Sequence, residues 1–342
     1  MPASGSSLVV DFHTHAIAPS LPDLERYSYA RWPRVSRTGD ATAEISVAGR
    51  PFREIDDRCW RPERRLEDMR AEGVAVQVLS PIPVTLCYDA PAEGAAVLAR
   101  AQNDFLADMV ARRPDSFRAL GTVPLQDVSL AVEELRRCVD ELGFLGVEIG
   151  TTVGPRELAE ASHAPFFEAA EELRALLFIH PTAVPGASRL DPYGLTFGVG
   201  MPTETATAAA MLISSGAFDR WPDLRVCLAH GGGALAQLLP RMDKGWELQS
   251  RSGQQRCRRA PSDYAPGIWV DSLTYDAATI EFLLARFGAD RVVIGSDYPF
   301  AARESPAAGS VARARLDSET TRATYRGHGL LQRHRDPSLS NS

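Results

Sequence analysis

The chain has 342 residues, 44% of them apolar and 24% charged, with 26 Gly and 24 Pro spread along it; this is material for one large core or two ordinary ones, and it excludes a disordered chain, a fibre and a peptide-sized binder. Lys and Arg number 37 against 44 Asp and Glu, a formal charge of −7 with no dense basic stripe, so nucleic acid is not an expected partner. Five scattered cysteines without a C-x-x-C pair, no basic-then-apolar leader in MPASGSSLVVDFHTHA and no run near the ~18 apolar residues of a membrane span predict a reducing, cytoplasmic setting and no membrane partner.

In chain order, short apolar runs rich in β-branched residues predict strands over 9–15, 74–80, 118–124, 146–150, 176–181, 225–230, 267–272 and 292–297. Helical spacing is predicted over 62–72, 92–113, 128–142, 203–218, 234–249 and 276–287. Eight strands alternating with helices predict an α/β fold, a closed (β/α)8 TIM barrel. An open doubly wound sheet is the alternative, but it carries a glycine-rich first turn, and here that turn reads H-T-H-A. The stretch over about 21–60, long and rich in Arg, Tyr and Pro, is expected to be a small insertion over the barrel mouth. Residues 1–334 are expected to form one domain, with 335–342 a loose tail.

Reactive side chains of such a barrel stand at the carboxyl ends of its strands. The first run closes with His13-Thr14-His15, the fifth with His180-Pro181, the sixth with His230-Gly231-Gly232-Gly233 and the eighth with Ser296-Asp297-Tyr298-Pro299. Two residues apart on a strand, His13 and His15 share a face and converge on the barrel axis. With His180 and Asp297 they make three imidazole nitrogens and a carboxylate oxygen, a set suited to zinc with one position left for water. A single histidine at a strand end more often satisfies backbone groups; four such residues gathered at strand ends fit that reading poorly. His230 is a fifth candidate, either an acid/base group or a ligand to a second metal. A second metal needs a bridging anion, and the fourth run offers only Glu148, whose direction the short strand leaves open; one metal with His230 as acid/base is the preferred reading. The glycines after His230 either serve a tight turn or let substrate approach bare backbone.

The motifs D-F-H-T-H, F-I-H-P, G-V-G-M-P-T-E-T, L-A-H-G-G-G and I-G-S-D-Y-P-F resemble those of the amidohydrolase-related metal-dependent decarboxylases, over about residues 10–300. The resemblance implies an amidohydrolase-type barrel with one Zn2+ per chain, Mn2+ being the alternative, held by His13, His15, His180 and Asp297 with a bound water, and His230 and Asp297 as the catalytic groups. By position it also implies that Arg53 binds a substrate carboxylate and that Arg241 reaches into a neighbouring subunit's site. Arg241 lies eleven residues past His230 on a predicted helix, roughly 16 Å along it, too far to turn back into its own site. With both arginines functional, the chain is a homodimer with shared sites, and its partner is a small dianionic carboxylate gripped by guanidinium forks. Phe197, counted as substrate-binding, stands where a tryptophan is expected; Thr182-Ala183 and the acidic stretch 54–58 are further departures that alter the pocket. The reaction implied is non-oxidative decarboxylation of a small conjugated carboxylic acid, in which metal-activated water and His230 manage the proton. The alternatives are hydrolysis of a lactone or amide by the same metal-activated water, and a catalytically dead barrel, against which the intact ligand set argues.

Overall fold

The computed structural model describes residues 8–253, 255–327 and 330–331. The first strand, β1 (Val9–Ala16), is buried along its whole length. The insertion follows as an antiparallel sheet of β2 (Arg34–Arg37), β3 (Thr42–Val47) and β4 (Arg50–Asp56). Then come α1 (Pro62–Glu72), β5 (Val74–Pro81), α2 (Ala92–Arg112), β6 (Phe117–Gly121), α3 (Val128–Arg136) with a π-helical continuation over Arg137–Glu141, and β7 (Gly146–Gly150). A small hairpin of β8 (Thr152–Val153) and β9 (Arg156–Glu157) leads to α4 (Ala164–Glu172) and β10 (Leu176–His180). The last third holds α5 (Met201–Ser214), α6 (Ala217–Arg220), β11 (Arg225–Leu228), α7 (Leu235–Ser252), β12 (Trp269–Asp271), α8 (Ala277–Phe287), β13 (Val292–Val293), α9 (Gly309–Arg313) and α10 (Ser318–Arg326).

Eight strands pair in the order β1-β5-β6-β7-β10-β11-β12-β13. All seven pairings are parallel. The ring is closed by main-chain bonds: Phe12 N–H donates to Ile294 O (2.8 Å), Asp297 N–H to His13 O (2.8 Å) and His15 N–H to Tyr298 O (2.7 Å). This closure selects the barrel over the open sheet. Inside it, Val10, Phe12, Val78, Leu120, Phe178 and Val293 form an apolar plug, so the polar strand ends above it are the one part of the barrel free for chemistry. A second, larger core lies between the strands and the helices.

The predicted helices are found, several with local causes. Pro62 opens α1 and Gly73, at φ 74°, ends it; Asp127 and Asp276 cap α3 and α8 through backbone N–H groups. Four findings correct the expectations. The run over 292–297 is a strand only at Val292–Val293, and that over 225–230 ends at Leu228, because His230 (φ 57°) and Asp297 (φ 65°) already lie on left-handed turns leaving the sheet. The helix expected over 203–218 is broken at Gly216 (φ 77°). Helix α4 is an addition, held by buried Phe166, Phe167, Ala169 and Ala170. The insertion is itself a sheet, whose only deeply buried apolar positions are Ala43, Ile45 and Ile55, too few for a clear alternating pattern. The expected loose tail, 335–342, lies outside the described residues. Among the described residues no helix is long and apolar enough to cross a membrane.

Candidate metal centre

His13 and His15 leave β1 on its inner face, with their Nε2 atoms 3.1 Å apart. The other ring nitrogen of each is committed. His13 Nδ1 lies 2.6 Å from Asp271 Oδ2, His15 Nδ1 2.9 Å from Pro81 O and His180 Nδ1 2.9 Å from Pro181 O. A carboxylate or carbonyl oxygen only accepts, so each Nδ1 carries a hydrogen and each imidazole, when neutral, presents an Nε2 lone pair. Facing lone pairs at 3.1 Å repel unless a positive charge sits between them.

Asp297 completes the group: its Oδ1 is 3.2 Å from His15 Nε2 and 3.5 Å from His13 Nε2. One ligand atom from each of His13, His15, His180 and Asp297 falls within 4.8 Å of the others, and all four residues are buried. His180 Nε2 and Asp297 Oδ1 have no hydrogen-bond partner. Orphaned acceptors at such depth cost about 1–3 kcal/mol each, and one divalent cation satisfies all of them. The residues therefore fit a metal, with an N3O donor set that suits zinc or manganese.

The local field agrees. Burial pushes the His13 imidazole down, yet the Asp271 hydrogen bond and charge, with Asp297 and Glu148 behind them, outweigh it and raise its pKa to about 9; the spot favours positive charge. Burial, then the neighbouring His230, His13 and His15, hold His180 well below the usual histidine range.

His230 stands beside this group, its ring centroid 5.2 Å from that of His13 and 5.0 Å from that of His180. Its Nδ1 is buried and unpartnered, and burial, followed by His13, pushes its pKa down to about 4. The turn that carries it needs glycine: Gly233 has φ 60°, and a Cβ there would lie 1.8 Å from Pro202 O. Gly231 (φ 65°) has no room for a Cβ either, 2.6 Å from Thr274 Cγ2, so close packing explains these two glycines.

Glu148 points inward. Its register partner on β10 is Phe178, whose ring edge meets the His13 ring at 4.9 Å. Its Oε2 is 3.7 Å from His15 Nδ1, on the side of that ring away from Nε2, and both oxygens lack hydrogen-bond partners. Among the described residues there is no second group of three or more metal-binding side chains.

Sequence reasoning missed Asp271, the last residue of β12. Besides holding His13, it accepts the N–H of His230 (3.0 Å), Gly231 (2.8 Å) and Leu273 (3.0 Å), so one carboxylate orients the His13 ring and the His230 turn together. The signal was present: W-V-D-S closes the seventh apolar run with an acid, as Asp297 closes the eighth. Asp271→Asn is expected to weaken metal binding by about 10–100-fold, since an amide removes the charge and, with both carboxylate oxygens now accepting from N–H groups, sets its NH2 against a donor in either orientation; competition with a chromophoric chelator measures it.

Above the centre lies a cavity of about 810 Å³, walled by the insertion sheet and the segment after β13 and reaching Asp297. Arg53 and Phe197 line it, as do Arg58 and Arg303. Arg58 is held by Asp56 (2.6 Å) and Arg303 by Glu72 (2.6 Å). Arg53 instead lies over Phe300, 4.1 Å from its centroid, and Phe300 stacks on the His15 ring at 5.2 Å. Phe197 is 51% exposed. Arg241 is exposed on α7 and does not line the cavity of its own chain.

A family model described as Amidohydrolase matches residues 10–327. The chain is 36% identical over 327 residues to a 2-amino-3-carboxymuconate-6-semialdehyde decarboxylase of Dictyostelium discoideum, covering 95% of this chain and 91% of that protein. A 5-carboxyvanillate decarboxylase of Sphingomonas paucimobilis shares its fold, with TM-score 0.80, 24% identity and coverage of 94% of this chain and 97% of that one. The 5-carboxyvanillate decarboxylase of Novosphingobium aromaticivorans, complexed with manganese and 4-hydroxy-3-methoxy-5-nitrobenzoic acid, superposes with TM-score 0.70 at 28% identity over 79% of each chain.

Proposed function

Since the chain belongs to the amidohydrolase family and, like its relatives, is a carboxy-lyase, we propose that it removes CO2 without oxidation from a small conjugated carboxylic acid, with 2-amino-3-carboxymuconate-6-semialdehyde the first candidate. The observation that carries this reading is the set of three Nε2 lone pairs and one carboxylate at the strand ends, each imidazole fixed from behind by an acceptor on its Nδ1. His13, His15, His180 and Asp297 would hold one zinc ion, with manganese the alternative, supported by the manganese of a decarboxylase of the same fold. A bound divalent cation supplies a Lewis acid that stabilises negative charge on substrate oxygens.

The chain's own groups do the rest. His230, neutral at pH 7, takes a proton from water and gives it to the carbon that CO2 leaves, where it meets the departing bond's electrons held meanwhile in the conjugated system. Asp297, a ligand that also lines the cavity, holds the reacting end of the substrate beside His230. Arg53 grips a substrate carboxylate at the mouth with its guanidinium fork, and Phe197 walls the ring or diene. Arg241, turned away from its own cavity, serves the site of a second copy in a homodimer. In this reading residues 1–334 are one catalytic domain, and five free cysteines suit a cytoplasmic enzyme.

An equimolar mixture of Arg53→Ala and Arg241→Ala chains, allowed to exchange subunits, is expected to regain about a quarter of parental turnover, because half the dimers are mixed and each mixed dimer has one intact site. No recovery despite demonstrated exchange would place both arginines in the same chain's site.

The deciding experiment incubates metal-loaded protein with freshly generated 2-amino-3-carboxymuconate-6-semialdehyde and follows substrate absorbance and released CO2 together, against a metal-stripped control. Metal-dependent loss with stoichiometric CO2 is the expected result. Addition of water without CO2 would make the enzyme a hydrolase.

A further inference from the structure

Arg65, the fourth residue of α1, is 0% exposed, yet among the described residues it forms no ion pair with a carboxylate. Its guanidinium instead spends four N–H bonds on neutral acceptors. Nε–H donates to Gln77 Oε1 (2.9 Å), Nη1–H groups to His15 O (2.8 Å) and Arg58 O (3.0 Å), and Nη2–H to Thr14 Oγ1 (3.0 Å). The plane also lies 4.7 Å from the centroid of the Tyr298 ring, which is itself anchored by its hydroxyl donating to Asp68 Oδ2 (2.9 Å).

A buried cation facing only neutral acceptors is a poor device for stability, since desolvation costs several kcal/mol and an apolar side chain of similar volume packs at no such cost. What distinguishes this one is where its arms go. Thr14 separates the two ligand histidines of β1, His15 is itself a ligand, and Tyr298 follows the ligand Asp297 directly. Arg58 lies at the foot of the hairpin that carries Arg53. One rigid fork therefore touches both ligand-bearing ends of the chain and the insertion above them. Lysine, with a single ammonium on a flexible stem, has no such planar geometry.

We propose that Arg65 is a positioning residue of the metal centre: it sets the spacing between the His13–His15 pair and Asp297, so that metal affinity and ligand geometry, and not the fold alone, depend on its guanidinium. The inference rests on the metal reading above, and the test separates the two. Parent, Arg65→Lys and Thr14→Val proteins are loaded with Co(II); the visible absorption band and the Co(II) dissociation constant are measured beside the melting temperature. Arg65→Lys keeps the charge and loses the fork. Thr14→Val removes one acceptor next to the ligands while keeping a β-branched side chain in the strand.

The expected result is a changed Co(II) band in Arg65→Lys with a dissociation constant raised about 10–100-fold, and a smaller change of the same kind in Thr14→Val. A folded Arg65→Lys protein with the parental band and affinity overturns the proposal, however far its melting temperature falls. Where Arg65→Lys does not fold, parental values in Thr14→Val overturn it equally. A parent chain that takes up no Co(II) overturns the metal centre itself, and this role with it.

Discussion

Replacing His230 by Asn is expected to lower kcat by about 10²–10⁴-fold, the usual worth of a positioned proton-transfer group, and to leave about one divalent ion per chain. Asn is the better substitution than Ala because residue 230 sits at φ 57°, a region that Asn enters readily and alanine does not; the variant then reports on the imidazole and not on backbone strain. Metal is retained because the ligand atoms that cluster within 4.8 Å come from His13, His15, His180 and Asp297 without His230. Metal analysis by mass spectrometry alongside turnover checks both halves. Metal lost together with activity would make His230 a ligand.

The pH dependence has a definite sign. Burial first, and His13 second, favour the neutral imidazole and lower the His230 pKa to about 4, and a cation bound nearby pushes the same way. A base that must be unprotonated therefore stays competent well below the ~6.5 of an ordinary histidine. At saturating metal the acid limb of kcat/KM is expected nearer pH 4–5 than 6.5, and to vanish in His230→Asn. An acid limb at 6.5 that survives the substitution would remove His230 from the proton path.

His180→Ala is expected to abolish metal binding and catalysis together. Its Nε2 is one of two buried atoms of the centre with no hydrogen-bond partner, and its Nδ1 is already held by Pro181 O, so its free lone pair has no other evident occupation. A metal contributes several kcal/mol of charge stabilisation to reactions of this class, so turnover should fall at least about a thousandfold. Stability offers an independent readout. An ion at 100 times its dissociation constant stabilises a folded protein by about 2.7 kcal/mol; the parent should melt higher with added zinc or manganese, and His180→Ala should not respond. Retention of one tightly bound ion and parental turnover in the variant would refute the ligand set.

Much of this centre is legible before folding. His13 and His15 at a spacing of two, His180 before a proline and Asp297 after I-G-S all close apolar runs, and a parallel barrel collects such positions at one end. Helices α1, α2, α3, α5, α7 and α8 were visible for a related reason, because an amphipathic spacing such as that of α1 or α8 is a local property. The insertion sheet was not, since few of its side chains are buried, and a half-exposed sheet leaves little periodicity to read. Asp271 was overlooked for a different reason: its importance lies in a partner 258 residues away in the chain.

The residue order thus sufficed for the alternating architecture, the four metal-ligand candidates and the neighbouring His230, because these depend on residue type and on spacing within a strand. Folding was needed to choose which ring nitrogen each histidine presents, to put Glu148 behind His15 and to lay Arg53 over Phe300. Those outcomes come from barrel closure between β1 and the segment after β13, which brings distant hydrogen-bond donors and acceptors together. No local periodicity encodes them.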